Sequence, residues 1–98
     1  MRHIGVDLHS NNFMVCFLTE EDEKTFKQYK ISEFELFKQC LAPDDHIAVE
    51  ATGNTRFFYK QVDSLVAECV IVNPSQFEVI KQSFKKTDKN DAEALARF

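Results

Sequence analysis

The stretch RHIGVDLHSNNFMVCFL at residues 2–18 decides the fold of this 98-residue chain. Apolar side chains alternate with other residue types over residues 2–8, which predicts a β-strand. The HSNN tetrapeptide at residues 9–12 has the composition of a turn. The continuous apolar run from Phe13 to Leu18 then predicts a second strand that is covered on both faces.

A third strand and a first helix are predicted after an acidic loop. Residues 24–31 alternate in polarity, and together with the two preceding strands they predict an antiparallel meander. Ser32 and Glu35 have the S-x-x-E spacing of a capping box, which predicts that a helix starts there. Pro43 is predicted to end this helix, because proline lacks the backbone N–H that a helix interior needs.

The rest of the chain alternates strands and helices. Strands are predicted over residues 47–51 and 69–72, separated by a helix that residues 52–54 cap. Two further helices are predicted, one over residues 75–84 and one that begins near residue 88. The resulting order, β-β-β-α-β-α-β-α-α, predicts an α/β domain of the RNase H-like class, with a five-stranded mixed sheet flanked by helices.

Composition and charge restrict the possible functions. A chain of this length forms one small domain, here predicted to span residues 1–98, and its 44% of apolar residues is enough for a packed core. The formal net charge of −4 argues against a free-standing DNA-binding module, which is usually basic. It does not argue against a catalytic domain whose carboxylates bind metal while other parts of the protein hold nucleic acid.

Cysteine usage and hydropathy predict a cytoplasmic protein. Cys16, Cys40 and Cys69 are odd in number and contain no C-x-x-C pair, which predicts buried free thiols in a reducing compartment rather than a zinc site. Asp7 interrupts the apolar run of the N-terminus, so no signal peptide is predicted. The run from Phe13 to Leu18 is too short to span a bilayer, and no association with a membrane is expected.

Two carboxylates stand where apolar residues are expected. Asp7 lies inside one apolar strand and Glu50 at the end of another, and an unpaired carboxylate is costly to bury at either place. If the two strands are parallel neighbours, both acids emerge at the carboxyl end of the sheet, where α/β proteins place their sites. Taken singly, Asp7 is equally well explained as a satisfied strand carboxylate, and Glu50 as the partner of Arg56 or Lys60.

A second pair of acids lies in the segment KKTDKNDAEALARF. Asp88 and Asp91 are three residues apart, so they project from one face of the predicted last helix, within its first turn. Taken singly, each is an ordinary acid of a helix N-terminus. Together with the two strand acids they provide four oxygen donors, which suit Mg²⁺ or Mn²⁺ and two-ion phosphodiester cleavage. We therefore predict a catalytic metal site formed by Asp7, Glu50, Asp88 and Asp91.

Other polar residues give weaker signals. His9 and Ser10 follow Asp7 directly and either flank a metal site or belong to a turn. A basic patch near the last two acids is a candidate for contact with nucleic-acid phosphates, although a solvated helix end explains it equally well. The patch consists of Lys81, Lys85, Lys86 and Lys89.

Four motifs together resemble a known family. They are I-G-V-D at residues 4–7, V-E-A-T-G at residues 49–53, V-N-P at residues 72–74 and K-T-D-x-x-D-A-x-A-L-A-R at residues 86–97. In this order, and over the length of the chain, they resemble the DEDD transposases. These are the recombinases of insertion-sequence-110 type, which include pilin-gene inverting recombinases.

The resemblance implies a RuvC-like fold of the RNase H superfamily and Mg²⁺-dependent cleavage and exchange of DNA strands during transposition. It assigns the catalytic acids to Asp7, Glu50, Asp88 and Asp91. It also implies that the full-length protein is a homo-oligomer and that some members use a structured guide RNA. The family has a second, C-terminal domain with a serine nucleophile that nothing here matches, so we expect this chain to be a fragment without complete recombinase activity.

Three other functions remain open on the sequence. A RuvC-like Holliday-junction resolvase or nuclease would use the same four acids. An actin-like sugar kinase or ATPase also opens with I-G-V-D, but there a glycine normally follows the aspartate closely, whereas here Leu8, His9 and Ser10 follow. A non-catalytic interaction domain on an RNase H-like scaffold would need neither Asp7 nor Glu50.

Overall fold

The computed structural model of the chain describes residues 1–50, 55–73 and 88–97, and it describes residues 88–91 only by their backbone. The strands in this part are β1 (His3–Leu8), β2 (Asn12–Leu18), β3 (Lys24–Lys30), β4 (His46–Glu50) and β5 (Glu68–Val72). The α-helices are α1 (Phe34–Gln39), α2 (Thr55–Val62) and α3 (Asp88–Arg97). Short 3-10 turns at Ile31–Glu33 and Asp63–Leu65 precede α1 and follow α2.

The strands form one mixed sheet in the order β3-β2-β1-β4-β5. The pairs β1–β2 and β2–β3 are antiparallel, which confirms the predicted meander, whereas β4 runs parallel to both β1 and β5. The predicted α/β class with a five-stranded mixed sheet is therefore confirmed. β1 is the central strand, and its alternating sequence sends Ile4, Val6 and Leu8 to one face and Gly5 and Asp7 to the other.

The face that carries the even-numbered residues of β1 packs against α1 and α2 and contains the larger core cluster. Phenylalanine rings dominate this cluster. The centroid of the Phe13 ring lies 5.3 Å from that of Phe37 and 6.3 Å from that of Phe58. Burial of each such ring stabilises the fold by roughly 1.5–3 kcal/mol, so this face is the main source of stability.

The opposite face of the sheet, termed the α3 face, carries Gly5 and Asp7. Its core joins side chains of β2 to alanines of α3. A Cβ atom at Gly5 would overlap the backbone oxygen of Ala92 and the backbone nitrogen of Ala96. Only glycine therefore allows α3 to lie directly against the central strand.

The first helix starts differently from the prediction. α1 begins at Phe34, and the backbone N–H that an acid caps is that of Lys30, which donates to Glu33 Oε1 at 2.8 Å. The predicted capping box of Ser32 and Glu35 is therefore wrong. The physical reason is that the chain passes from β3 directly into a 3-10 turn, so the capping acid stands two residues earlier in the sequence.

The three cysteines of the chain differ in burial. Cys16 and Cys69 are buried as predicted, but Cys40 is exposed, because it lies just beyond the end of α1. The helix predicted over residues 75–84 lies outside the described residues. Within the part that the structure describes, no helix combines the length and the apolar character needed to cross a membrane.

Candidate active site

Asp7 is a buried acid on the α3 face of the central strand. Its Oδ2 atom lies 3.1 Å from Nε2 of His9. The connection between β1 and β2 brings the histidine back to the strand end, since the N–H of His9 donates to the carbonyl of Asn12 at 2.9 Å. His9 is thus a residue of the predicted turn that also contacts the acid.

Glu50 is the last residue of β4 and is partly buried. The parallel register pairs Val6 of β1 with Val49 of β4, so the next residues along the two strands, Asp7 and Glu50, stand in one row. Residues in one row point to the same face of a sheet, and neighbouring strands lie about 4.8 Å apart. The condition set by the sequence, that the two strands are parallel neighbours, is met.

The backbone of Glu50 is also fixed by the following helix. Thr55, the buried first residue of α2, donates a hydrogen bond from Oγ1 to the carbonyl oxygen of Glu50 at 2.8 Å. The end of β4 is therefore held by β1 on one side and by the start of α2 beyond it. This leaves the carboxylate of Glu50 attached to a backbone that is well anchored.

α3 runs antiparallel to β1. Near its end, Leu95 and Ala96 line a cavity of about 280 Å³ together with His3, which lies at the start of β1. Gly5, further along the strand, lies under the backbone between Ala92 and Ala96. The N-terminus of α3 is therefore directed toward the carboxyl end of β1.

The start of α3 reaches the level of the two strand acids. A helix rises 1.5 Å per residue and a strand about 3.3 Å, so four helical residues cover about the same length as two residues of a strand. Asp88 precedes the stretch of α3 that lies over Gly5, from Ala92 to Ala96, by at least four residues, and Asp7 follows Gly5 by two. The backbone that carries Asp88 and Asp91 therefore begins at the same end of the sheet as Asp7.

The structure describes the side chains of only two of the four predicted metal ligands. The side chains of Asp7 and Glu50 are described and stand in one row, whereas Asp88 and Asp91 are located by their backbone alone. Among the described side chains, no group of three His, Cys, Asp or Glu is arranged to hold a metal ion. The assignment of the four acids stays a prediction.

The side chains of the predicted basic patch lie outside the described residues: Lys81, Lys85, Lys86 and Lys89.

Sequence reasoning missed a buried acid on α3, Glu93. Its carboxylate accepts hydrogen bonds from Lys24 Nζ at 3.0 Å and from Arg97 Nε at 2.8 Å. The hydrogen bond from Lys24 is the main cause that holds the pKa of Glu93 below its usual value. The i, i+4 spacing of Glu93 and Arg97 was the available signal, but no sequence pattern indicated Lys24.

The buried thiols are not candidate nucleophiles. Burial raises the pKa of Cys16 to about 11 and the pKa of Cys69 to about 12. Both thiols are therefore protonated at neutral pH, and the thiolate is the reactive form. Neither buried thiol is therefore assigned to the candidate site.

A known protein family matches nearly the whole chain. The sequence profile of the IS110-type DEDD family, described as a transposase, matches residues 4–98. The chain belongs to this transposase family. The match spans the central strand with Asp7, the end of β4 with Glu50 and the whole of α3.

One relative is similar to this IS110-type chain over nearly all of its residues. The transposase for insertion sequence element IS1533 of Leptospira borgpetersenii is 26% identical over 103 residues, which include 98% of this chain. The aligned region is 30% of that protein, so the chain spans about a third of the length of its relative.

Proposed function

We propose that this chain is the catalytic domain of a transposase that cleaves and exchanges DNA strands during transposition of an insertion sequence. The observation that carries the proposal is the row formed by Asp7 and Glu50 at the carboxyl end of two parallel strands. The direction of α3 supports a position of Asp88 and Asp91 at the same end of the sheet. Membership in a transposase family supports DNA as the substrate.

The proposal includes an RNase H-like fold of the RuvC-like type. The topology supports it, because an antiparallel meander of β1, β2 and β3 is extended at β1 by the parallel strands β4 and β5. Helices cover both faces of this sheet, α1 and α2 on one and α3 on the other. The acids of the proposed site come from the central strand, its parallel neighbour and the helix that crosses them.

The donor set fits Mg²⁺ or Mn²⁺. Two carboxylates in one row repel each other, and a divalent cation compensates for that repulsion. In this proposal Asp7, Glu50, Asp88 and Asp91 hold the metal with four hard oxygen donors. When bound, the metal supplies an activated water and a positive charge that stabilises the phosphate oxygens during cleavage.

The chain itself supplies rigidity and orientation. Asp7 is held by the central strand and by its contact with His9, and Glu50 by the hydrogen bond from Thr55 to its carbonyl. The N-terminus of α3 carries a partial positive charge, which stabilises the anionic residues of its first turn. Binding of metal therefore requires little reorganisation of the two strand acids.

The partners of the proposed transposase follow from its charge and its family. With a net charge of −4, this chain is better suited to hold metal than to grip DNA, so other surfaces of the full-length protein would bind most of the DNA. A structured guide RNA, a homo-oligomeric assembly and a cytoplasmic location belong to the same proposal. The predicted basic patch would add a local phosphate contact beside Asp88 and Asp91.

Binding of Mn²⁺, followed by electron paramagnetic resonance, tests the proposed site. Free Mn²⁺ gives a strong signal that decreases on binding, and competition with MgCl₂ measures the affinity for Mg²⁺. We expect the wild-type chain to bind Mn²⁺ and Asp7→Asn to weaken binding by roughly tenfold or more, because a charged ligand is lost. Glu35→Gln is the matched control, since it removes an exposed acid of α1 on the other face of the sheet.

Two results would contradict the proposal. The four-acid site is wrong if Asp7→Asn and Glu35→Gln bind Mn²⁺ as tightly as the wild type. The catalytic role is wrong if the full-length protein with Asp7→Asn still supports transposition of a marked element at the wild-type frequency. A loss of both properties in Asp7→Asn, with Glu35→Gln unaffected, is the expected outcome.

A further inference from the structure

A charge network around the buried Glu93 connects α3 to the edge strand β3. Glu93 is 7% exposed and accepts hydrogen bonds from Lys24 Nζ at 3.0 Å and from Arg97 Nε at 2.8 Å. Arg97 also donates from Nη1 to Asp22 Oδ1 at 2.8 Å. Lys24 opens the edge strand β3, and Asp22 lies in the turn before it, where its φ of 64° is in the left-handed region.

The apolar contacts of α3 are of two kinds: the buried Leu95 packs with Val72 of β5, whereas small residues of the helix face β1 and β2. The helix contacts β2 through the methyl groups of Ala92 and Ala96. At Gly5, which has no side chain, it packs against the backbone of β1. Small side chains allow close approach, but they interlock less than large ones, so a helix packed through them slides and rotates more easily. A directional, charged contact on the β2 and β3 side of the helix therefore adds to the selection of one position.

Glu93 is the residue with that directional contact. It lies five residues after Asp88 and two after Asp91, which correspond to about 7.5 Å and 3 Å along the helix axis. A rotation or shift of α3 that breaks the contact with Lys24 would move both aspartates by a comparable distance. Because metal ligands tolerate only a few tenths of an ångström, such a shift would weaken the site.

Stability alone is a weak explanation for this network. Partly exposed ion pairs contribute little, and a buried pair often stabilises no more than apolar residues of the same volume. Fixing one arrangement among several of similar energy is the better attested role of such contacts. The network joins parts of the chain that are 69 and 75 residues apart, as expected for a contact that fixes tertiary geometry.

We infer that Glu93, held by Lys24 and Arg97, is a positioning residue that sets α3 at the rotation and height at which Asp88 and Asp91 meet Asp7 and Glu50. This inference rests on the proposed four-acid site and adds a residue that does not itself bind metal. Lys24 is the informative position for a test, because it lies on β3, an element that carries none of the four acids.

The test compares Mn²⁺ dissociation constants, measured by electron paramagnetic resonance on the full chain, below the melting temperature of each variant. Lys24→Met and Glu93→Gln are expected to weaken Mn²⁺ binding by roughly tenfold, the usual effect of losing an outer contact of a metal site. Lys24→Arg keeps the charge and is expected to restore binding to within about threefold of the wild type. The control is Asp45→Asn, which breaks a buried ion pair with Arg2 near the starts of β1 and β4.

The possible outcomes separate positioning from general stability. Weak binding by Lys24→Met and Glu93→Gln, with Asp45→Asn destabilised but binding as the wild type does, supports the inference. Equal binding by all four variants overturns it and leaves a purely structural network. Equally weak binding by Asp45→Asn also overturns it, because any loss of stability would then have the same effect. A wild-type chain that does not bind Mn²⁺ refutes the four-acid site itself, and the inference with it.

Discussion

The two ends of the β1–β4 pair place carboxylates in opposite surroundings. Near the starts of the strands, Asp45 is fully buried and accepts two hydrogen bonds from Arg2, from Nε at 3.0 Å and from Nη2 at 2.7 Å. The N–H of Ala42 donates a third, at 2.7 Å. At the carboxyl ends, Asp7 and Glu50 put two like charges into one row.

The different surroundings distinguish a structural carboxylate, Asp45, from the two candidate site carboxylates, Asp7 and Glu50. Asp45 has its positive charge supplied by the chain, in the two-pronged geometry that arginine and carboxylate favour, so it connects β1 to the loop before β4. The row of Asp7 and Glu50 instead brings two carboxylates together at the end of the sheet where α3 begins, and the imidazole of His9 contacts Asp7. A pair of carboxylates of that kind suits a cation from solution.

The largest expected effect is at the structural end. Asp45→Asn removes the negative charge that faces Arg2 and should lower the free energy of unfolding by about 3 kcal/mol. This value is at the lower end of the range for broken buried ion pairs, because Arg2 is one-third exposed. Urea denaturation in EDTA measures the loss. A loss below about 1 kcal/mol would mean that the two ends of the strand pair do not differ as described.

The next effect in size concerns the packing of α3. Gly5→Ala places a methyl group against the backbone of Ala92 and Ala96, so the helix must move away from β1. We expect a loss of about 1–3 kcal/mol in the free energy of unfolding, typical of an overfilled core. Mn²⁺ binding should weaken in parallel, since α3 carries two of the proposed ligands. Unchanged stability would contradict the close approach of helix and strand.

Asp7→Asn should change stability much less in the absence of metal. The amide keeps the shape of the side chain, still offers an oxygen to His9 and removes one of two like charges. The free energy of unfolding in EDTA should therefore stay within about 1 kcal/mol of the wild type. The same urea titration as for Asp45→Asn provides the comparison. A loss as large as that of Asp45→Asn would show that Asp7 is a structural acid, and the contrast between the two ends would disappear.

The smallest effect is expected at the outer part of the α3 network. Asp22→Asn removes an exposed partner of Arg97 and should cost less than about 0.5 kcal/mol, because exposed ion pairs are weak and screened by salt. Thermal melts at low and high NaCl measure this contribution. A loss above about 1 kcal/mol would indicate that the turn before β3 helps to anchor α3 as strongly as Lys24 does.

Several features of the candidate site were predictable because their signals are local. An acid inside an apolar strand is unusual by composition alone, so Asp7 and Glu50 were recognisable without any structure. Asp88 and Asp91 were recognisable as a pair at helical spacing. The first helix was located less well, since the 3-10 turn after β3 moved the cap from Ser32 to the residue before the turn.

The contacts that join distant parts of the chain were not predictable in the same way. Arg2 and Asp45 are 43 residues apart, and Lys24 and Glu93 are 69 residues apart. Each of these residues is an ordinary surface charge by sequence, and its burial depends on which strand becomes the neighbour of which. Glu93 was missed for this reason, although its i, i+4 partner Arg97 is visible in the sequence.

The amino-acid sequence by itself determined the class of the fold, the number of strands and the identity of the acids that stand in unusual places. It did so because alternation, turn residues and caps act over a few neighbouring residues. The tertiary structure alone decided that β4 pairs with β1 in a parallel register, so that Asp7 and Glu50 stand in one row. It also decided that α3 packs across these strands, where Glu93 accepts a hydrogen bond from Lys24. Those arrangements come from packing between segments far apart in the chain, for which no local pattern exists.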